Sequence, residues 1–158
     1  MSLNIDERVG ALSVRHKVAL VLACADHVRA VLAFDKHAHA RAGAALDLCW
    51  QWARTGKVES RRLYDEIHAL LELETKVRGD RRAKSALFAA VSAVYYVTWH
   101  ADREQGCECP ERQSRLPNDM AEVGESDVLE CMRYAVQESL APHEEEKWQL
   151  ATLESADL

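Results

Sequence analysis

The stretch Ala86–Trp99, ALFAAVSAVYYVTW, decides the fold. Only Ser92 and Thr98 interrupt its apolar residues, and charged runs, DRRAK before it and ADREQ after it, close both ends. Plotted at helical spacing, the apolar side chains cover the whole circumference, the pattern of a helix with neighbours on every side. The run falls short of the roughly 18 apolar residues of a membrane span. It therefore reads as the central helix of a water-soluble bundle.

Upstream, Ala45–Ile67, ALDLCWQWARTGKVESRRLYDEI, repeats the theme. On a helix, residues two apart differ by about 200° in direction. Trp52 thus joins Ala45, Leu48 and Cys49, while Trp50 joins Leu46 and Ala53, and both faces carry apolar bulk. The helix is expected to run from Lys36 to Thr55, inside the bundle, with both tryptophans in the core and Gly56 ending it. Ser60 is the expected N-cap of the next helix, whose stripe is Leu63, Ile67, Leu70 and Leu71.

Elsewhere the same period recurs, and no strict alternation bounded by hairpin turns occurs. A first long helix is expected over Val14–Phe34, with a short one before it. After Gly106 the text CECPERQSRLPND has two prolines and no period, and reads as a surface loop. From Met120 to Leu140 helical spacing resumes, with a break near Gly124, and a last short helix is expected over His143–Leu153. The expectation is an all-α, single-domain bundle of five to seven helices spanning residues 1–158.

Composition agrees with a globular protein: 48% hydrophobic and 29% charged residues, six glycines and three prolines in 158. The N-terminus, MSLNIDERVG, has no basic n-region or cleavage site, and Asp26, His27 and Arg29 break the first apolar stretch, so a cytoplasmic address is expected. The five cysteines, at 24, 49, 107, 109 and 131, are an odd set. Three lie in apolar helical patterns, which suggests free thiols in a reducing compartment.

Candidate chemistry is sparse. Asp35, His37 and His39 alternate, so on a helix they diverge and cannot share a metal; a solvated helix start explains them better. His100, Cys107 and Cys109 are soft ligands close in sequence, but one Cys-x-Cys pair lacks the paired geometry of structural zinc. The carboxylate pairs Asp65 with Glu66 and Glu72 with Glu74 fit a solvated helix face. There is no nucleophile elbow, Walker loop, dinucleotide fingerprint or His-Glu-x-x-His helix. The expectation is a protein without turnover, cofactor or metal site. The competing readings are a metal-dependent or thiol enzyme built on His100, Cys107 and Cys109, and a helical regulatory module.

Charge carries more information. Residues 1–79 hold twelve Lys/Arg and ten Asp/Glu, whereas from Asp102 onward fifteen acids face five bases, a net of −10. Such a field repels nucleic acid and attracts a basic protein surface.

The segments ALDLCWQW, LYDEI after a short polar linker, ALFAAVSAVYYVTW, and LPNDMAEV leading into the last long helix resemble, in order and spacing, the small all-helical immunity proteins of bacterial polymorphic toxin systems, specifically immunity type six. The resemblance covers the larger part of the chain and hands over no catalytic residues. It implies a cytoplasmic protein that binds the toxic C-terminal domain of a secreted effector. Such toxins are frequently nucleases, which need basic surfaces to hold phosphate. On this reading the partner contacts are Glu122, Glu125, Asp127 and Glu130, with the loop Gly106–Asn118 beside them. Oligomeric state is not written in these patterns.

Overall fold

The computed structural model describes residues 5–33, 35–76, 81–108 and 125–138, and among them every regular element is helical. In chain order these are α1 (Ile5–Ala11), α2 (Val14–Val28), a short 3-10 helix (Arg29–Leu32), α3 (Lys36–Thr55), α4 (Ser60–Lys76), α5 (Arg81–Glu108) and α6 (Glu125–Glu138). The chain is thus all-α, as its periodicity demands. The expected final helix, the break at Gly124 and most of the Pro-rich loop lie outside the described residues.

The helix α5 is the axis, packing against α2, α3, α4, α6 and the 3-10 helix. Its sequence explains how it serves so many neighbours. Ala83, Ala86, Ala89, Ala90, Ala93 and Ala101 are all buried, and small side chains let several helices approach closely at once. The larger Leu87, Val94, Tyr96 and Val97 fill the intervals. Thr98 is fully buried, and its Oγ1 donates 2.6 Å to the Val94 carbonyl, so burial leaves no polar atom stranded. The helix continues two residues past Gly106. A glycine costs a helix only about 1 kcal/mol relative to alanine, which the packed helix absorbs.

Helix ends follow side-chain chemistry. Ser13 accepts from the His16 N–H at 3.2 Å and starts α2. Asp35 accepts from the N–H groups of His37 and Ala38, both at 3.1 Å, and starts α3. Gly56 ends α3 with φ +67°, the left-handed region glycine enters without a Cβ penalty, and returns its N–H to the Trp52 carbonyl at 2.7 Å. The long first helix expected to Phe34 instead tightens at Arg29 into the 3-10 turn, whose Leu32 is buried as the chain reverses into α3.

Two expectations for α4 are revised. The carbonyl of Glu59 accepts the first helical bonds, from Arg62 and Leu63, so Glu59 is the cap and Ser60 the first helical residue. The Ser60 side chain, released from capping, reaches across to α5. Its Oγ donates to Asp102 at 3.2 Å, while Gln105 bridges the Ser60 N–H and the Val58 carbonyl, tying the start of α4 to α5. Along α4, Leu63, Ile67, Leu70 and Leu73 are buried, and Leu71 is 38% exposed because it turns past the edge of the contact. Arg41 Nη2 lies 3.0 Å from Glu66 Oε2 between α3 and α4, an ion pair without a straight hydrogen bond.

Candidate partner-binding surface

Two parts of the surface stand out, one expected from the sequence and one not. The first is α6. Val128, Cys131 and Met132 face inward, and the Cys131 Sγ donates to the carbonyls of Ala89 (3.4 Å) and Val21 (3.7 Å), pinning α6 across α5 and α2. Burial, with the charge of Glu130 adding to it, pushes the Cys131 thiol up to about 12. Burial, then the charge of Glu66, pushes Cys49 up as well. Burial thus favours the protonated thiol at both positions.

With those positions turned inward, Asp127 and Glu130, three apart, share the outer side of α6; Asp127 is half-buried and Glu130 exposed, with exposed Arg133 one turn on. Of the four expected partner contacts the structure therefore brings these two together. Glu125 opens α6 by its backbone, its side chain lying outside the described part, and Glu122 and the segment 109–124 lie outside it altogether. Residues 109–124 and 139–158 hold eight acids and three bases, so half of the −10 net charge belongs to segments whose placement is not described.

The second part is built around Arg15, at the start of α2. Its Nη1 donates to the Trp52 and Ala53 carbonyls at 3.4 and 3.3 Å, its guanidinium lies 4.2 Å over the Trp52 ring, and its Nη2 donates to both carboxylate oxygens of Glu104 at 2.9 and 3.1 Å. One side chain thereby joins α2, the end of α3 and α5 and closes the core over Trp52. Beside it opens a pocket of about 560 Å³, walled by Arg15, Arg54, Lys57, Glu104 and the Thr55–Gly56 turn. Nothing in the spacing of the sequence singled out Arg15 or this pocket. The only available signal was a basic cluster, Arg54 and Lys57, around a helix-ending glycine.

Of the alternative site, His100, Cys107 and Cys109, only the His100 side chain belongs to the described part. His100 is half-buried, edge-on to Tyr96 (ring centroids 4.6 Å apart) and Trp99 (5.1 Å). Burial, then the charge of Lys17, holds it below the usual histidine range against the pull of Glu104. Cys107 continues α5 with its side chain undescribed, and Cys109 lies outside. Among the described residues no three His, Cys, Asp or Glu side chains converge on a metal position, and no helix is long and apolar enough to cross a membrane. Asp35 and His37 start a helix, and His39 is half-buried one turn on.

Comparison with known proteins adds a family. The sequence model of the family described as Immunity protein Imm6 matches residues 16–138, a span that takes in nearly all of α2 and every helix after it to the end of α6. No curated protein and no solved structure matches the chain.

Proposed function

Since the chain belongs to the Imm6 family of immunity proteins, we propose that it neutralises a cognate bacterial toxin domain by stoichiometric protein–protein binding in the cytoplasm, without turnover. The observation that carries the reading is the family match over 16–138, which covers the buried axis and the elements packed on it. The chemistry of the site is consistent with capture rather than catalysis. Burial raises the Cys49 and Cys131 thiols, and half-buried His100 lies edge-on to two aromatic rings.

The acidic C-terminal part, with Glu122, Glu125, Asp127 and Glu130, is the proposed docking face for the toxin. Its support is the −10 net charge from Asp102 onward and the placement of Asp127 and Glu130 on the outer side of α6. A toxin that holds phosphate, as a nuclease does, presents a basic surface that an acidic face can occupy.

The test is titration of purified protein against the toxin domain encoded beside its gene. Inhibition is expected to end at a fixed molar ratio. Continued inactivation at strongly substoichiometric amounts would identify an enzyme instead. Replacing the four acids by Lys should slow association and flatten its salt dependence while helicity stays unchanged; wild-type kinetics would remove this face from the mechanism.

A further inference from the structure

We propose that the pocket beside Arg15 receives a carboxylate from an acidic segment of the toxin partner, so that the interface carries a contact of opposite sign to the acidic face. The inference rests on the reading of the chain as a toxin-binding protein. Its observation is an imbalance of charge. Three cations, Arg15, Arg54 and Lys57, wall the pocket against one acid, Glu104. Arg15 and Glu104 pair with each other at 2.9 Å, whereas the exposed Arg54 and Lys57 side chains pair with no acid among the described residues.

Cations near a helix C-terminus ordinarily serve the exposed carbonyls. Here that need is met for the Trp52 and Ala53 carbonyls without either Arg54 or Lys57. Arg15 donates to the Trp52 and Ala53 carbonyls, the Gly56 N–H returns to Trp52, and the Thr55 Oγ1 donates to the Gln51 carbonyl at 2.8 Å while accepting from the Lys57 N–H at 3.2 Å. Neither the Arg54 nor the Lys57 side chain donates to any of these carbonyls or pairs with an acid among the described residues, so both charges can meet a group that enters from outside. An acidic face alone accepts any basic surface; a cationic pocket elsewhere on the same molecule penalises partners that lack an acid at the matching place, and so supplies register and specificity.

The experiment has two arms. In the first, backbone amide NMR follows titration with the peptide Ac-Glu-Glu-Glu-NH2, with a tri-lysine peptide and inorganic phosphate as comparisons. Shifts are expected at Thr55, Gly56 and Lys57 with triglutamate and not with tri-lysine. The Arg54→Glu, Lys57→Glu double variant should weaken the effect about fivefold or more, and Glu104→Gln, which removes the one competing charge, should strengthen it. Opposite signs for two exposed variants cannot arise from lost folding. Absent shifts, equal response in the double variant, or saturation by phosphate at lower concentration than by the peptide each overturn the assignment. In the second arm, toxin association is measured for wild type and the double variant. Slower association supports the pocket. Equal rates and equal protection remove the pocket and leave the immunity reading standing, whereas a wild-type protein that fails to bind the toxin removes the immunity reading itself.

Discussion

Trp50 and Trp52 stand two residues apart on one helix, and their surroundings teach different lessons. Trp52 is 1% exposed, sealed by the Arg15 guanidinium that also holds Glu104 and the end of α3. Trp50 is half-buried in the seam between α2 and α3, where its Nε1 donates 2.8 Å to Asp26 Oδ2. In the same seam Arg29 lies 3.9 Å from Asp26, and its guanidinium crosses Gly43 so closely that a Cβ there would overlap it. The expectation that both indoles are core residues is therefore correct for Trp52 and must be revised for Trp50, whose polar edge is part of a surface network. A tryptophan buried entirely, as Trp52 is, contributes chiefly through burial. One at a seam contributes partly through the acid it satisfies.

The comparison can be broken most directly by truncating each ring. Trp52→Ala should cost about 3 to 5 kcal/mol in urea or thermal unfolding, because it removes a fully buried indole and leaves a cavity under Arg15. Trp50→Ala should cost less, about 2 kcal/mol, from half the burial and one lost hydrogen bond to a charged group. Equal losses at the two positions would erase the distinction. Trp50→Phe removes the donor together with the pyrrole part of the ring, so its cost, about 1 to 2 kcal/mol, sets an upper bound on the bond to Asp26.

A smaller effect sharpens the Trp52 side. Arg15 and Glu104 are 43% and 44% exposed in their side chains, so their pair, in which Nη2 alone meets both carboxylate oxygens, is screened by water, and a double-mutant cycle should return a coupling of only about 0.5 to 1 kcal/mol. Arg15→Ala should cost more than this coupling, since it also uncovers Trp52 and two carbonyls. A cost equal to the coupling would mean that the stacking over Trp52 contributes nothing.

The smallest effect is one of pH. His100 is held below its ordinary value of 6.5 by burial and Lys17. For a base with a depressed folded-state pKa, the unfolded chain takes up the proton first as pH falls. Stability should therefore decline as pH drops below about 6.5, stop declining below the folded-state value, and be indifferent to this group at higher pH. Replacing His100 by Phe should reduce the decline; an unchanged pH profile of unfolding would show that His100 titrates alike in both states.

The all-α class, the bounds of α3, the role of Gly56 and the centrality of Ala86–Trp99 were legible in the chain because each follows from local rules. Helical period reports which side chains seek burial, glycine reports a left-handed end, and an Ala-rich, all-round apolar run reports a crowded axis. Tertiary structure alone decided which of two equally apolar faces closes completely, that Leu73 and not Leu71 is buried, and that Ser60 serves Asp102 instead of capping its own helix. It alone could bring Arg15 to Trp52 and Glu104, residues 37 and 89 positions away in the chain. Period and propensity act within a few turns, whereas burial, stacking and ion pairing are settled by whichever helix end the packing brings alongside.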